Sequence, residues 1–480
     1  MKIVVVAILA LFSAAAAPPP PAAPPPIPSK PAPAPAALAS TTDVVGTWTG
    51  TLMGQLPLAL TVVQDADGLM AALEIPAQGA TLKVDALTWK DGALHLDIRD
   101  VNGSYDGTLS KDGLRLEGTW TQGTAMALVL ERTPAEPAEP AAPPPLDVPL
   151  DVQVPSPPIP FRAGGQQHLV YELHLTNMSR RTVSLTRIDA VDEAGRVRAS
   201  IAGLDLLQLE CPGTADLTGL KRALLGPGLR AVAYLWITVD GKVPARLEHH
   251  ITARVSGVER VLTAGAIAPD KAAVVVVGPP LRGDRWRAGN GASNRSLHRR
   301  TLLTTGGRAS VPQRFAIDFV RTFEDGQTAH GDPSRSESYR AYGTEVLAVA
   351  DGVVVKVVDG LPQSTPGEPA PFPITLDNIA GNMIVLDIGR GHNALFAHLQ
   401  PGSLKVKAGD KVKRGQVLGL LGNSGNSSEP HLHFQINPSP NVLGSEGIPY
   451  AFDAFQVTGA GAPTKCQKEL PLDDDVVAFP

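Results

Sequence analysis

The sequence predicts a mainly β chain with three folded parts: a small antiparallel barrel or meander, an immunoglobulin-like β-sandwich, and a C-terminal antiparallel sheet. Three observations carry this prediction. Short apolar runs alternate with polar residues at period two through much of the 480 residues, which is the pattern of half-buried strands. Pairs such as Asp91-Gly92, Asn102-Gly103 and Asp112-Gly113 stand between the runs and favour the positive backbone angles of tight hairpins. Of 45 prolines, 22 crowd into residues 18–35 and 134–160, which marks two extended linkers between folded parts.

Charge narrows the function. Lys and Arg number 42 against 47 Asp and Glu, a formal net charge of -5, and this excludes a generally nucleic-acid-binding surface. Residues 1–17 have one Lys, an apolar run at 3–12 and small residues at 13–17, the pattern of a signal peptide. Ten apolar residues are too few to cross a bilayer, which takes about 20. The expected product is exported, periplasmic or extracellular, with no membrane span.

Residues 18–43 read as a Pro/Ala-rich tether and 44–132 as the small antiparallel domain, with Leu56, Leu58, Leu60 and Val62 on one face of a strand. GTWTG at 46–50, QGA at 78–80 and GTWTQG at 118–123 resemble a small β-domain that precedes some α/β-hydrolases. No Gly-x-Ser-x-Gly elbow follows, so this part is read as accessory. Its Trp48 and Trp120 are expected inside the barrel rather than on an exposed platform. Residues 133–159 form the second linker and 160–276 the sandwich, where Leu169, Tyr171, Leu173 and Leu175 share a face. Its histidines, His168, His174, His249 and His250, have no Asp, Glu or Cys at ligand spacing and read as ordinary core or surface groups. Cys211 and Cys466 are too few for a disulfide framework, and both a single bridge and two unrelated thiols remain open. Residues 277–305 are taken as a connecting segment and 461–480 as a tail whose acidic cluster, Asp473 to Asp475, is solvated.

Residues 306–460 carry the chemistry. In PHLHF at 430–434, period two places His431 and His433 on one side of a strand and Leu432 and Phe434 on the other. In RFAIDF at 314–319 the same count puts Phe315, Ile317 and Phe319 in a core and leaves Arg314 and Asp318 together on the open face. FAHL at 396–399 ends a third apolar strand on His398. Together, Asp318, His398, His431 and His433 form a constellation within one sheet.

With ADGVV at 350–354, AHL at 397–399 and VKAGDKVKRGQVLGLLGNSG at 406–425, this stretch resembles the M23 (LytM or lysostaphin-type) zinc endopeptidases of bacterial cell walls. The resemblance implies Asp318 and His433 as zinc ligands, His398 and His431 as the catalytic pair, and peptidoglycan peptide cross-links as substrate. It also implies that the loops at 322–342 and 359–373 wall a cleft. One position departs from the family pattern: Arg314 stands where the first ligand His belongs, and a guanidinium has no lone pair to donate. Either another histidine enters the site, with His298 preferred over His330 and His392 despite its neighbours Arg299 and Arg300, or Arg314 pairs with Asp318 in a vacated site. The second case predicts a catalytically degenerate module that binds wall peptide or activates a partner wall hydrolase.

Overall fold

The computed structural model describes residues 43–65, 68–133, 147–212, 219–458 and 462–480. The expected signal peptide, the tether up to residue 42 and residues 134–146 of the second linker lie outside the described residues. Within them the chain is mainly β, built of several antiparallel sheets. No helix among the described residues is long and apolar enough to cross a membrane.

The first sheet is an up-and-down meander of nine strands between Gly46 and Arg132. Its first strand, Gly46–Leu52, pairs with its last, Thr124–Arg132, so the sheet curls and leaves Ala80–Lys83 and Ala86–Lys90 as its two edges. Leu58, Leu60 and Val62 point into that curl with Leu94, Leu96 and Leu116. Trp48 and Trp120 are buried there as well, and Trp48 Nε1 donates to Val44 O at 2.8 Å. Both are core residues.

Two further sheets stack face to face. One contains Gln166–Asn177 and Arg230–Val239; the other contains Val183–Asp192, Leu247–Val255 and Val258–Ile267. Leu169, Tyr171, Leu173 and Leu175 meet Leu185, Ile188 and Ile251 between the sheets, as the alternation predicts. The opposite face of Gln166–Asn177 is buried too: Val170 packs into the C-terminal core, and Glu172 and His174 are covered. A strand that reads as one-sided in sequence is therefore packed on both sides. His249 accounts for itself locally, since its Nδ1–H donates to Gly265 O at 3.0 Å and its Nε2 accepts from the Tyr171 hydroxyl at 2.8 Å.

The last large sheet has ten strands in the order Lys411–Val412, Gly352–Val358, Asn382–Asp387, Asn393–Leu399, Leu432–Asn437, Ile317–Arg321, Gly283–Gly289, Val476–Phe479, Phe455–Val457, Thr464–Cys466. Two expected boundaries are corrected by this order. The connecting segment supplies the strand next to Ile317–Arg321, and the tail supplies the strand beyond it, so neither lies outside the sheet. Of the acidic cluster Asp474 is exposed, as expected, but its neighbours are tied in: Asp473 Oδ1 accepts from Gly291 N at 2.9 Å and Asp475 Oδ2 from Leu472 N at 2.9 Å.

Cys211 packs against the sandwich core and Cys466 in the C-terminal core, so no bridge joins them. Phe161 of the sandwich lies edge-on to Phe315, with ring centroids 5.2 Å apart, and joins Ile317, Phe396 and Phe434 in one continuous core.

Candidate metal and catalytic site

Four neighbouring strands bring the candidate residues together by register. Gly289 stands opposite Asp318, Asp318 opposite His433, and His433 opposite Ala397. The strand holding Asp318 begins at Ile317, so the alternation does not run back to Arg314, which lies in a preceding turn. The expectation that Arg314 shares the face of Asp318 is thereby corrected. Its guanidinium reaches Glu172 Oε2 at 2.6 Å and Glu446 Oε2 at 2.5 Å and donates to Gly447 O at 2.9 Å. No vacated site is filled by an Arg314–Asp318 pair.

The place beside Asp318 is taken by His298. It sits on the four-residue helix Leu297–Arg300, and its Nε2 lies 3.3 Å from Asp318 Oδ2. Of the other two histidines considered, His330 pairs with Asp325 at 3.0 Å and stacks on Phe323, and His392 lies in a turn at the far end of the strand that carries His398. Neither joins the site. Arg299, which reads as a surface residue beside His298, is fully buried.

Hydrogen bonds behind the imidazoles decide which nitrogens face inward. Backbone carbonyls can only accept, so His298 Nδ1 carries a proton to Asn290 O (3.0 Å), His398 Nδ1 to Ser424 O (2.7 Å) and His431 Nδ1 to Glu429 O (2.7 Å). In the neutral form each of these three rings therefore has a bare Nε2, which can take a metal ion or a second proton. His433 is fixed by a longer relay. The Asn437 amide donates to the carbonyls of Pro312, Ser445 and Glu446, which leaves its oxygen to accept from Gln435 Nε2 at 2.6 Å. Gln435 Oε1 then accepts from His433 Nε2 at 2.8 Å, so the bare nitrogen of His433 is Nδ1.

That Nδ1 lies 2.9 Å from Asp318 Oδ1. A lone pair thus faces a carboxylate, and the arrangement is stable only with a cation or a proton between them. Nε2 of His298, at 3.3 Å, and Nε2 of His431, at 3.4 Å, face the same carboxylate. Burial alone would raise the Asp318 carboxyl, but the charges of His298 and His431 hold it well below the usual carboxylate range. Burial lowers His398 well below the usual histidine value, and repulsion from His431 and His433 adds to this. Burial likewise lowers His433, whereas for His298 and His431 the Asp318 charge outweighs burial and the shift is upward. These directions belong to the protein charges alone, and a bound dication would drive the protons off.

Among the described residues, His298, Asp318 and His433 are the group that can hold a metal ion, with donor atoms all within 4.8 Å of one another. A tetrahedral zinc ion with bonds of about 2.0–2.1 Å needs donors about 3.3 Å apart, and the His298–Asp318 separation of 3.3 Å meets that. Two His nitrogens and one carboxylate are a set that suits catalytic zinc, which keeps its fourth position for water or substrate. Asn290 serves this set twice, because its side-chain Nδ2 donates to Asp318 Oδ2 at 2.9 Å while its carbonyl orients His298.

His398 reaches the site through a β-bulge. Phe396 pairs with Ile384 but Leu399 with Asn382, so one extra residue is accommodated, and His398 takes φ 63°. Strict alternation would have sent it toward the core face of Phe396. The ring centroids of His398 and His431 are 4.7 Å apart. The loops at 322–342 and 359–373 both brace the turn that orients this pair: Thr328 Oγ1 donates to Glu429 Oε2 at 2.6 Å, and Ser364 N donates to Asn423 O at 2.7 Å.

Sequence reasoning missed Asn290, Gln435 and Asn437. Period two along 431, 433, 435 and 437 was the signal for the last two.

Residues 337–443 match the model of peptidase family M23. Similar proteins include the peptidoglycan DD-endopeptidase ShyA of Vibrio cholerae, 36% identical over 94 residues, which are 20% of this chain and 17% of ShyA. Lysostaphin of Staphylococcus simulans is 37% identical over 87 residues, 18% of this chain and 17% of lysostaphin. The cell division protein DipM of Caulobacter vibrioides is 31% identical over 100 residues, 21% of this chain and 14% of DipM. The chain thus spans about a sixth of the length of these relatives.

Proposed function

We propose that the chain is an exported zinc metalloendopeptidase that hydrolyses peptide cross-links of bacterial peptidoglycan, because residues 337–443 match the model of peptidase family M23. The observation that carries this reading is the convergence of three imidazoles on one largely enclosed carboxylate, with the Nδ1 of His433 only 2.9 Å from Asp318 Oδ1. Peptidoglycan as substrate is supported by the likeness to ShyA.

In this reading His298 Nε2, Asp318 and His433 Nδ1 hold the zinc. When bound, zinc supplies Lewis acidity and brings the pKa of a water to about 7. The protein's own part is orientation and proton transfer. The carbonyls of Ser424 and Glu429 fix His398 and His431 with Nε2 toward the reaction space, so one ring can take a proton while its neighbour donates one to the developing oxyanion or the leaving amine. Gln435 and Asn290 keep His433 and Asp318 from turning away.

A catalytically degenerate module was the alternative while position 314 left the ligand set at two. The placement of His298 supports a set of three, and Arg314 is occupied elsewhere. Digestion of purified sacculi tests the reading. Wild type is expected to release cross-linked peptides, and folded His398→Ala is expected to release at least about a hundredfold less. Equal release by both, or none by wild type loaded with zinc, would remove it.

A further inference from the structure

We propose that the metal site is completed across the domain interface, with Glu172 of the sandwich acting as the positioning residue for His298. This rests on the reading that His298, Asp318 and His433 hold zinc.

Asp318 and His433 are placed by the register of paired strands, but His298 has no such support. Its helix has four residues, too short to be stable alone, and Ser296 gives it no side-chain cap. Sandwich residues hold it instead. Arg299, the next residue, donates through Nη2 to Tyr171 O at 3.0 Å and Leu235 O at 3.2 Å, and its Nη1 forms an ion pair 2.9 Å from Glu172 Oε1 without an aligned hydrogen bond.

The same carboxylate takes Arg314. Nε of Arg314 lies 3.0 Å from Glu172 Oε2, and Nη2 lies 2.6 Å from it. Glu172, Arg299 and Arg314 are all at least 95% buried. One carboxylate therefore ties together the helix that carries His298 and the turn that leads into Asp318. A buried ion network is weak evidence for stability, because desolvation offsets most of its attraction. Its angular specificity is better suited to fixing geometry. The arginine at the family's usual ligand position thus anchors the element that brings the replacement ligand.

Glu172→Gln in the full-length chain tests this, read by zinc affinity in chelator competition and by thermal unfolding. The control is Glu74→Gln, which breaks another ion pair of a buried carboxylate, to Arg222 at 3.3 Å, between the first sheet and the sandwich. Glu172→Gln is expected to lower zinc affinity about tenfold or more, the scale of lost outer-shell support, while Glu74→Gln leaves it unchanged. If Glu172→Gln does not fold, Glu172→Asp, which keeps the charge but withdraws it by one methylene, is expected to weaken zinc severalfold. Wild-type affinity in a folded Glu172 variant, or equal loss in the control, overturns the proposal and leaves the metal reading standing. A wild type that binds no zinc overturns both.

Discussion

At the scale of single residues, proton positions set by groups outside the cluster of His298, Asp318 and His433 determine what that cluster can bind. Gln435→Leu removes the acceptor that holds the His433 proton on Nε2. Zinc affinity is expected to fall about 10–100-fold with the fold retained, as read by chelator competition. Arg314→His tests the opposite intuition, that restoring the family residue restores a ligand. The turn at 314 directs its side chain to Glu172 and Glu446, so the variant leaves one buried and one half-buried carboxylate short of a partner. A loss of about 3–5 kcal/mol is expected in urea denaturation, with no gain in zinc affinity. Asp318, His431 and His433 were legible in the sequence because period two needs only local backbone. His298 was legible only as one of three options, since a helix far upstream reaches the carboxylate through tertiary packing. Arg299 misled in sequence, as a buried guanidinium and a solvated one are spelled alike.

At the scale of elements, the bulge that delivers His398 leans on a close backbone crossing. Gly425 has φ 77°, and a Cβ there would stand 2.3 Å from Gly381 N. Since the carbonyl of Ser424, its neighbour, accepts a hydrogen bond from His398, Gly425→Ala should displace the His398 imidazole. The expected result is a loss of about 1–3 kcal/mol and at least about tenfold slower hydrolysis with zinc still bound, measured by thermal unfolding, sacculus digestion and metal content. Bulges escape a period-two reading because the inserted residue resets the count. The acidic tail was misread for a related reason: Asp473 looks solvated until the strand Val476–Phe479 is known to lie beside Gly283–Gly289.

At the scale of the whole molecule, the three β parts were legible because alternation, hairpin pairs and proline clusters are local signals. Their union was not. The polar face of Gln166–Asn177 reads as solvent-facing, since alternation shows that two faces differ and says nothing of what covers them. Acid sensitivity follows from the sandwich interior, where burial pushes His249 down to about 4. Above about pH 6.5 it is neutral in both folded and unfolded chains and contributes no pH dependence. As pH falls from 6.5 to 4 the unfolded chain gains the proton first, so stability drops by about 3 kcal/mol, with no further loss from this group below 4. Urea midpoints across that range should show this slope, and His249→Gln should flatten it.

The central claim is that His298 takes the ligand place left open at position 314. Crystals grown with zinc and measured at the zinc absorption edge test it most directly. The account predicts one anomalous peak within about 2.2 Å of His298 Nε2, Asp318 and His433 Nδ1 together. A peak bound by Asp318 and His433 with His298 turned away, or no peak at this carboxylate, would contradict it.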